Sequence, residues 1–214
     1  MSVAIQVLYQ DRDIVVCVKP AGVLSEGEGM PALLRQQLGG EAYCVHRLDR
    51  DVGGVMVYAR TKTAAAELSA MIASRAFGKE YLAVVQGNPA ADAAVLRDLL
   101  YHDATRNKSY VVKRPRRGVR EAELDYERLS TQNTPDGALS LLRVRLHTGR
   151  SHQIRVQFAS RSMPLVGDGR YGSRYPKEDL ALWSERVCFR HPITGEELRF
   201  SALPPGNWSW TLYE

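Results

Sequence analysis

Residues 54–86 read GVMVYARTKTAAAELSAMIASRAFGKEYLAVVQ, and the change of apolar period along them sets the fold class. Gly54–Arg60 is a nearly unbroken apolar run of strand length. Thr61 then stands as a helix N-cap before Ala64, Ala65, Leu68, Met71 and Ile72. That alanine-rich stripe at helical spacing predicts a helix running on to Phe77. Tyr81–Gln86 returns to strand, and Gly87-Asn88-Pro89 closes it.

Outward from this passage the pattern is mostly strand. Ile5–Tyr9 and Ile14–Val18 flank the polar turn Gln10–Asp13, and Lys19-Pro20-Ala21-Gly22 makes a second turn. Pro31, Leu33, Leu34 and Leu38 predict a short helix with proline in its first turn. Ser109–Lys113, Leu124–Leu129 and Leu139–Leu146 read as strands, as do Val187–Arg190 and Glu197–Ala202. A helix is expected from about Ser151, with Ile154 and Phe158 on one face. One strand–helix–strand passage among strands makes the chain α+β, not doubly wound α/β.

The 214 residues, at roughly 150 per domain, favour one domain over two. No apolar run reaches the roughly 18 residues of a bilayer span, and the N-terminus lacks the pattern of a secretory signal. Cys17, Cys44 and Cys188 all sit in apolar surroundings, an odd count with no close pair. They read as packed free thiols, which places the chain in the cytoplasm.

The net charge of +5 is less informative than its distribution. Arg106–Arg120, RNKSYVVKRPRRGVR, carries seven Lys/Arg and no acid; Arg143–Arg155, RVRLHTGRSHQIR, carries four Arg and no acid. The rest of the chain holds 18 Lys+Arg against 24 Asp+Glu, so it is acidic with two basic segments. Such segments suit a phosphate backbone, because each neutralised phosphate releases condensed counterions.

GxGxxG, P-loop and HExxH motifs are all absent, and the five histidines do not fall at metal-ligand spacing. Polar residues instead gather after apolar runs, at His46-Arg47-Leu48-Asp49, Lys79-Glu80-Tyr81 and Thr148–Arg155. On spacing alone Asp49 is a turn residue, Tyr81 is core, and Arg155 is a solvated arginine or the partner of a structural carboxylate.

At these same residues the chain resembles the RluA family of pseudouridine synthases. The family motif HRLDxxTSG stands as HRLDRDVGG at 46–54, Lys-x-Tyr as Lys79-Glu80-Tyr81, and TGRxHQIRVxxxxxGxPLxGDxxYG as TGRSHQIRVQFASRSMPLVGDGRYG at 148–172. The opening LYQDRDIVVCVKPAGVL and the closing FRHPITGEELRFSALPP match as well, so the resemblance covers about residues 7–205.

The resemblance implies a mixed, largely antiparallel central sheet flanked by helices and loops. It implies an isomerase that turns uridine in RNA into pseudouridine without cofactor, metal or added energy. Asp49 would be the catalytic aspartate, Tyr81 would pack on the target base and share in proton transfer, and Arg155 would pair with the Asp49 carboxylate. Arg47, Lys79 and Arg150 would help hold the RNA, with Arg114, Arg116 and Arg117 contacting phosphates. The carboxylate must stay ionised in a partly dry pocket, which burial opposes and a guanidinium favours. Reaching a stacked uridine also costs a few kcal/mol of extrusion.

Val52-Gly53 and Gln157 depart from the pattern. Val52-Gly53 replaces the family's Thr-Ser, for which altered loop packing with retained activity is expected. Gln157 replaces the usual His after QIRV and receives no role. Longer relatives carry an S4 RNA-binding domain before the catalytic one. Here the KPAG segment starts at Lys19, so one catalytic domain over 1–214, acting as a monomer on ribosomal or transfer RNA, is expected.

Two rival readings stand beside this one. A non-catalytic RNA-binding module or chaperone on the same fold would use the basic segments alone. A nucleoside or glycoside hydrolase would need a second carboxylate roughly 5 Å from Asp49, for which Asp51 and Asp168 are the candidates.

Overall fold

The computed structural model describes residues 4–206 and Trp210. The fold is α+β; among the described residues, mixed and mostly antiparallel strands stand with three α-helices whose two ends are described, and a 3₁₀ turn. The chain divides into two compact units. The first holds the described residues up to Glu80 together with Trp183–Pro204, and the second holds Tyr81–Leu182 and the described residues beyond Pro204.

The first unit is built on β1 (Gln6–Gln10), β2 (Ile14–Lys19), β4 (Gly53–Ala59) and β10 (Leu182–Arg190), hydrogen-bonded in that order. The short β3 (Tyr43–Cys44) adds to β4, and β11 (Glu197–Ser201) pairs antiparallel with β10. β2 and β4 run antiparallel with Val16 opposite Val57, and every residue of β4 is buried. Unbroken Val/Met/Tyr sequence of this kind needs cover on both faces. Ala64 and Leu68 of α2 (Lys62–Ala73) join Val16, Val55, Val57, Val187 and Phe189 in one core. α1 (Met30–Leu38) begins with Pro31 in its first turn, as the sequence predicts.

Thr61 caps α2 through its side chain, which accepts the Ala64 N–H at 3.2 Å. The helix ends at Ala73, four residues short of the expected Phe77. Arg75 turns left-handed (φ 62°), and Phe77 swings into the core to stack on Phe189 at 5.1 Å. Burial of a phenyl ring outweighs one more helical turn. β5 (Gly78–Gln86) starts in this unit and continues in the second.

In the second unit the order is β5, β9 (Gly137–Leu146), β8 (Val119–Thr134), β6 (Ala93–Asp103) and β7 (Lys108–Val112). The sixteen-residue β8 pairs with β9 along one edge and β6 along the other. β6 is absent from the sequence reading for a physical reason. Its buried Leu96 and Leu100 stand four apart in an Ala/Leu-rich segment, a helical spacing that tertiary pairing overrides.

α3 (Gln153–Ala159) starts two residues later than expected, after His152 in a left-handed conformation (φ 53°). Phe158 of α3 meets Tyr126 edge-on at 5.5 Å, and Val156 packs with Leu100 and Ala122. Gln157 acquires a role here. Fully buried, its Nε2 donates to Asp98 Oδ2 (2.7 Å) and the Leu96 carbonyl (3.3 Å), pinning α3 to β6.

The Val52-Gly53 departure also has a packing cause. Gly53 sits opposite Trp183 in the parallel β4–β10 pair, and a Cβ there would lie 2.4 Å from the indole Cζ3. The indole N–H donates to the Ala202 carbonyl at 2.8 Å, which fixes the ring in place. Gly53→Ser is therefore expected to lower stability by about 1–3 kcal/mol by overpacking. Combining it with Trp183→Leu should recover part of that loss, and denaturant melts of the four chains in the cycle check this.

His46 supplies a second expectation. Its ring lies 5.3 Å from Phe77, and Nε2 accepts the Val57 N–H at 3.1 Å, so the proton of the neutral ring is on Nδ1. That buried Nδ1–H has no hydrogen-bond partner among the described residues. Burial, reinforced by the nearby Lys79 ammonium, pulls the pKa down to about 3 from 6.5. The unfolded chain takes up this proton near 6.5 and the folded chain only near 3, so the unfolded state binds more protons in that window. The contribution is whole above pH 6.5 and is lost toward pH 3, at up to about 1.4 kcal/mol per pH unit. Urea melts between pH 7 and 4 should show this slope, and His46→Gln should flatten it; equal slopes would remove His46 as the cause.

Candidate active site

Asp49 is half-buried on the loop between β3 and β4, and that loop is clamped onto the Lys19–Gly22 turn from several sides. Lys19 is wholly buried, and its Nζ donates to the carbonyls of Pro20 (2.9 Å), Val23 (2.6 Å) and Arg50 (2.9 Å). Arg50 directly follows Asp49. The Gly22 N–H donates to the Arg50 carbonyl (2.8 Å), while Arg50 Nε donates back to the Gly22 carbonyl (3.0 Å). Gly22 holds φ +85°, a conformation that a side chain would strain.

On the other side of Asp49, the buried Ser25 hydroxyl donates to the Leu48 carbonyl (2.8 Å) and accepts the Leu48 N–H (3.0 Å). The Val52 N–H closes the loop on the Asp49 carbonyl at 3.1 Å. Burial brings the Lys19 pKa down to about 8, while the Asp51 and Asp49 carboxylates pull it the other way. Asp49 thus stands in the field of a buried ammonium that also holds the carbonyl of the next residue, Arg50. Local sequence marks Lys19 only as part of a turn.

The other residues named from sequence in this unit differ in kind. Arg47 is exposed and meets Glu26 at 3.1 Å. Lys79 is half-buried at the start of β5 near His46, and burial lowers its pKa. A desolvated lysine of this sort is a poorer surface cation than the motif alone implies.

In the second unit, Tyr81 is 5% exposed at the point where β5 enters it. Arg155, on α3, is buried and holds a carboxylate that the sequence did not single out as its partner: Nε donates to Asp168 Oδ2 (2.7 Å) and Nη2 to Oδ1 (2.9 Å). A guanidinium carries five N–H donors, and this fork uses two of them. The guanidinium also lies 5.2 Å over the Tyr171 ring. Asp168 is 1% exposed with both oxygens on Arg155, so it is not available as the second carboxylate of a hydrolase.

Tyr171 ties this pair to β7. Its hydroxyl accepts the Ser109 N–H (2.8 Å) and meets His152 Nδ1 (3.0 Å). Burial raises the phenol's pKa. The Thr148–Gln153 loop before α3 is knotted on itself, with Gln153 Oε1 accepting from the Thr148 hydroxyl (2.8 Å) and the Arg150 N–H (3.0 Å). Exposed Arg150 donates Nε to the Glu121 carbonyl. Asp168 and Tyr171 both lie in the GDxxYG segment of the third motif, a signal that would have marked them.

Arg114, Arg116 and Arg117 are exposed on the loop joining β7 to β8. Cys17, Cys44 and Cys188 are free. Among the described residues, no three His, Cys, Asp or Glu side chains converge to hold a metal, and no helix is long and apolar enough to cross a membrane.

The family described as RNA pseudouridylate synthase matches residues 13–160. The ribosomal large subunit pseudouridine synthase D of Xanthomonas campestris pv. campestris is 37% identical, over 95% of this chain and 67% of that protein. The tRNA pseudouridine synthase C of Pasteurella multocida is 29% identical, over 95% of this chain and 93% of its own. Among solved structures, human RNA pseudouridylate synthase domain containing 1 shares the fold, with a TM-score of 0.80 and 22% identity over 94% of this chain and 84% of that one. With its Asp49 loop, Lys-x-Tyr strand and Arg155 helix in the motif order that the resemblance required, the chain belongs to the RluA-type RNA pseudouridine synthases.

Proposed function

We propose that this chain isomerises a uridine of a structured ribosomal or transfer RNA to pseudouridine, with Asp49 as nucleophile. The observation that carries the assignment is the clamp around Asp49. Lys19, Ser25 and Gly22 bind the backbone on both sides of it, so the carboxylate is presented by a rigid loop. The two RNA classes follow the names of the similar proteins, one acting on the ribosomal large subunit and one on tRNA.

In the reaction the C1′–N1 bond breaks, the uracil turns, and C5 bonds to C1′. The C5 hydrogen leaves as a proton, and N1 ends protonated. Substrate and product are isomers, so no co-reactant, metal or cofactor is required. A carboxylate is a competent covalent catalyst for such a step, and water must be kept from the detached base. We assign Tyr81 to packing on the uracil and to proton exchange with it. Arg155 supplies the cation of the site, and Asp168 holds it in one orientation. Arg47, Lys79 and Arg150 assist in holding the RNA.

Both units belong to one catalytic domain in this reading, because the family match at 13–160 runs across the boundary between Glu80 and Tyr81. The free cysteines accord with a reducing cytoplasm, where the enzyme acts as a monomer.

Mapping pseudouridine in cells with and without the gene is the direct test: at least one site in ribosomal or transfer RNA disappears with the gene. No lost site would point instead to a non-catalytic RNA-binding role. In the purified protein, Asp49→Ala and Asp49→Asn are expected to abolish product while leaving RNA affinity within about threefold of wild type. Full activity in Asp49→Ala would remove it as nucleophile. Replacing Arg114, Arg116 and Arg117 together by Ala should flatten the slope of log K against log salt by about 2, at roughly 0.7 per lost phosphate contact on single strands. An unchanged slope would assign the loop to solvent.

A further inference from the structure

The β6–β7 hairpin carries an arrangement that phosphate binding does not require. Tyr101 of β6 and Tyr110 of β7 face each other directly across the antiparallel pair. Their neighbours Leu100 and Val111 point the opposite way, into the core with Ala122 and Val156. The two tyrosines therefore share the outer face, where opposite side chains stand about 5 Å apart. Both are half-buried, so their rings are held by the strand surface.

Cations complete the pair. The Arg116 guanidinium carbon lies 4.7 Å from the Tyr101 ring centroid, and the Lys108 ammonium 5.8 Å from that of Tyr110. Gly118, with φ +83°, lets the loop run against the Tyr101 edge, where even a Cβ would stand 3.6 Å away. Asp103, at the end of β6, is near Arg106 at 3.9 Å. The segment 106–120 is acid-free.

We propose that the Tyr101–Tyr110 face, with Arg116 and Lys108, is a stacking site for an unpaired base of the RNA. The proposal rests on RNA being the substrate, the reading given under Proposed function. Aromatic rings and guanidinium planes stack bases, while the same cations meet the flanking phosphates. A base in a duplex has both faces covered by its neighbours, so only a looped-out or single-stranded base fits. The hairpin thereby favours RNA that carries an unpaired nucleotide.

The test uses two labelled twelve-nucleotide probes of equal charge: oligoadenylate, which offers Tyr81 no uracil, and a ribose-phosphate strand of the same length without bases. Binding is measured by fluorescence anisotropy on Asp49→Ala, so turnover plays no part. This background should prefer the base-bearing strand by about tenfold. Adding Tyr101→Leu and Tyr110→Leu should erase the preference and leave affinity for the abasic strand and its salt slope unchanged. Phenylalanine at both positions should keep the preference.

Arg116→Ala, at an exposed position where the fold is not at stake, should lower the preference by about threefold. A preference that survives both the Leu pair and Arg116→Ala, or that is absent from the start, overturns the proposal. A wild-type chain that forms no pseudouridine overturns the catalytic reading alone, because this measurement does not depend on turnover.

Discussion

Lys19 is buried with its charge, and three backbone carbonyls occupy its three donors. An ammonium can satisfy all three oxygens, while a neutral amine has one N–H too few. One of those oxygens belongs to Arg50, so the position of Asp49 depends on a cation that sits 30 residues earlier in the chain. Leaving such carbonyls unpaired in a dry interior costs far more than a surface contact returns. The polar clamp therefore behaves as a single element: Lys19, Gly22, Ser25 and Arg50 hold one loop geometry together.

The second unit solves a related problem with a different device. Arg155 is buried like Lys19, but it is matched by a carboxylate instead of carbonyls, and Tyr171 covers the guanidinium. A buried ion pair adds little net stability over an apolar pair, yet removing one partner is costly, and its forked geometry allows few orientations. That is useful where a cation must be aimed. The hydroxyl of Tyr171 then links the pair to Ser109, inside the basic segment, so the strand that leads into the arginine-rich loop and the helix that carries Arg155 share one hydrogen-bond network.

The departure at Val52-Gly53 is matched by local packing. The family hydroxyls are gone, and Trp183 occupies the space that a residue larger than glycine would need at 53. In this chain the Trp183 ring packs against Gly53 from a neighbouring strand, beside the backbone clamp that flanks Asp49. Gln157 is a parallel case: an amide stands where the family has an imidazole, and it ties α3 to β6.

Local pattern alone made much of the fold legible. The period change along 54–86 is a short-range property, and Thr61 caps its helix through an atom three residues away. Motif order likewise pointed to Asp49, Tyr81 and Arg155. What local pattern misread were β6, whose leucines sit at helical spacing, and the end of α2, where Phe77 answers to Phe189 more than 100 residues on. The partners of the buried charges were equally out of reach: Lys19 with Arg50, and Arg155 with Asp168. By itself the sequence determined the class of fold, the family and the motif residues to which its chemistry is assigned in the proposal. Only the tertiary structure decided what holds each of them, because desolvated charges choose partners by distance and geometry in three dimensions, and no spacing along the chain encodes that choice.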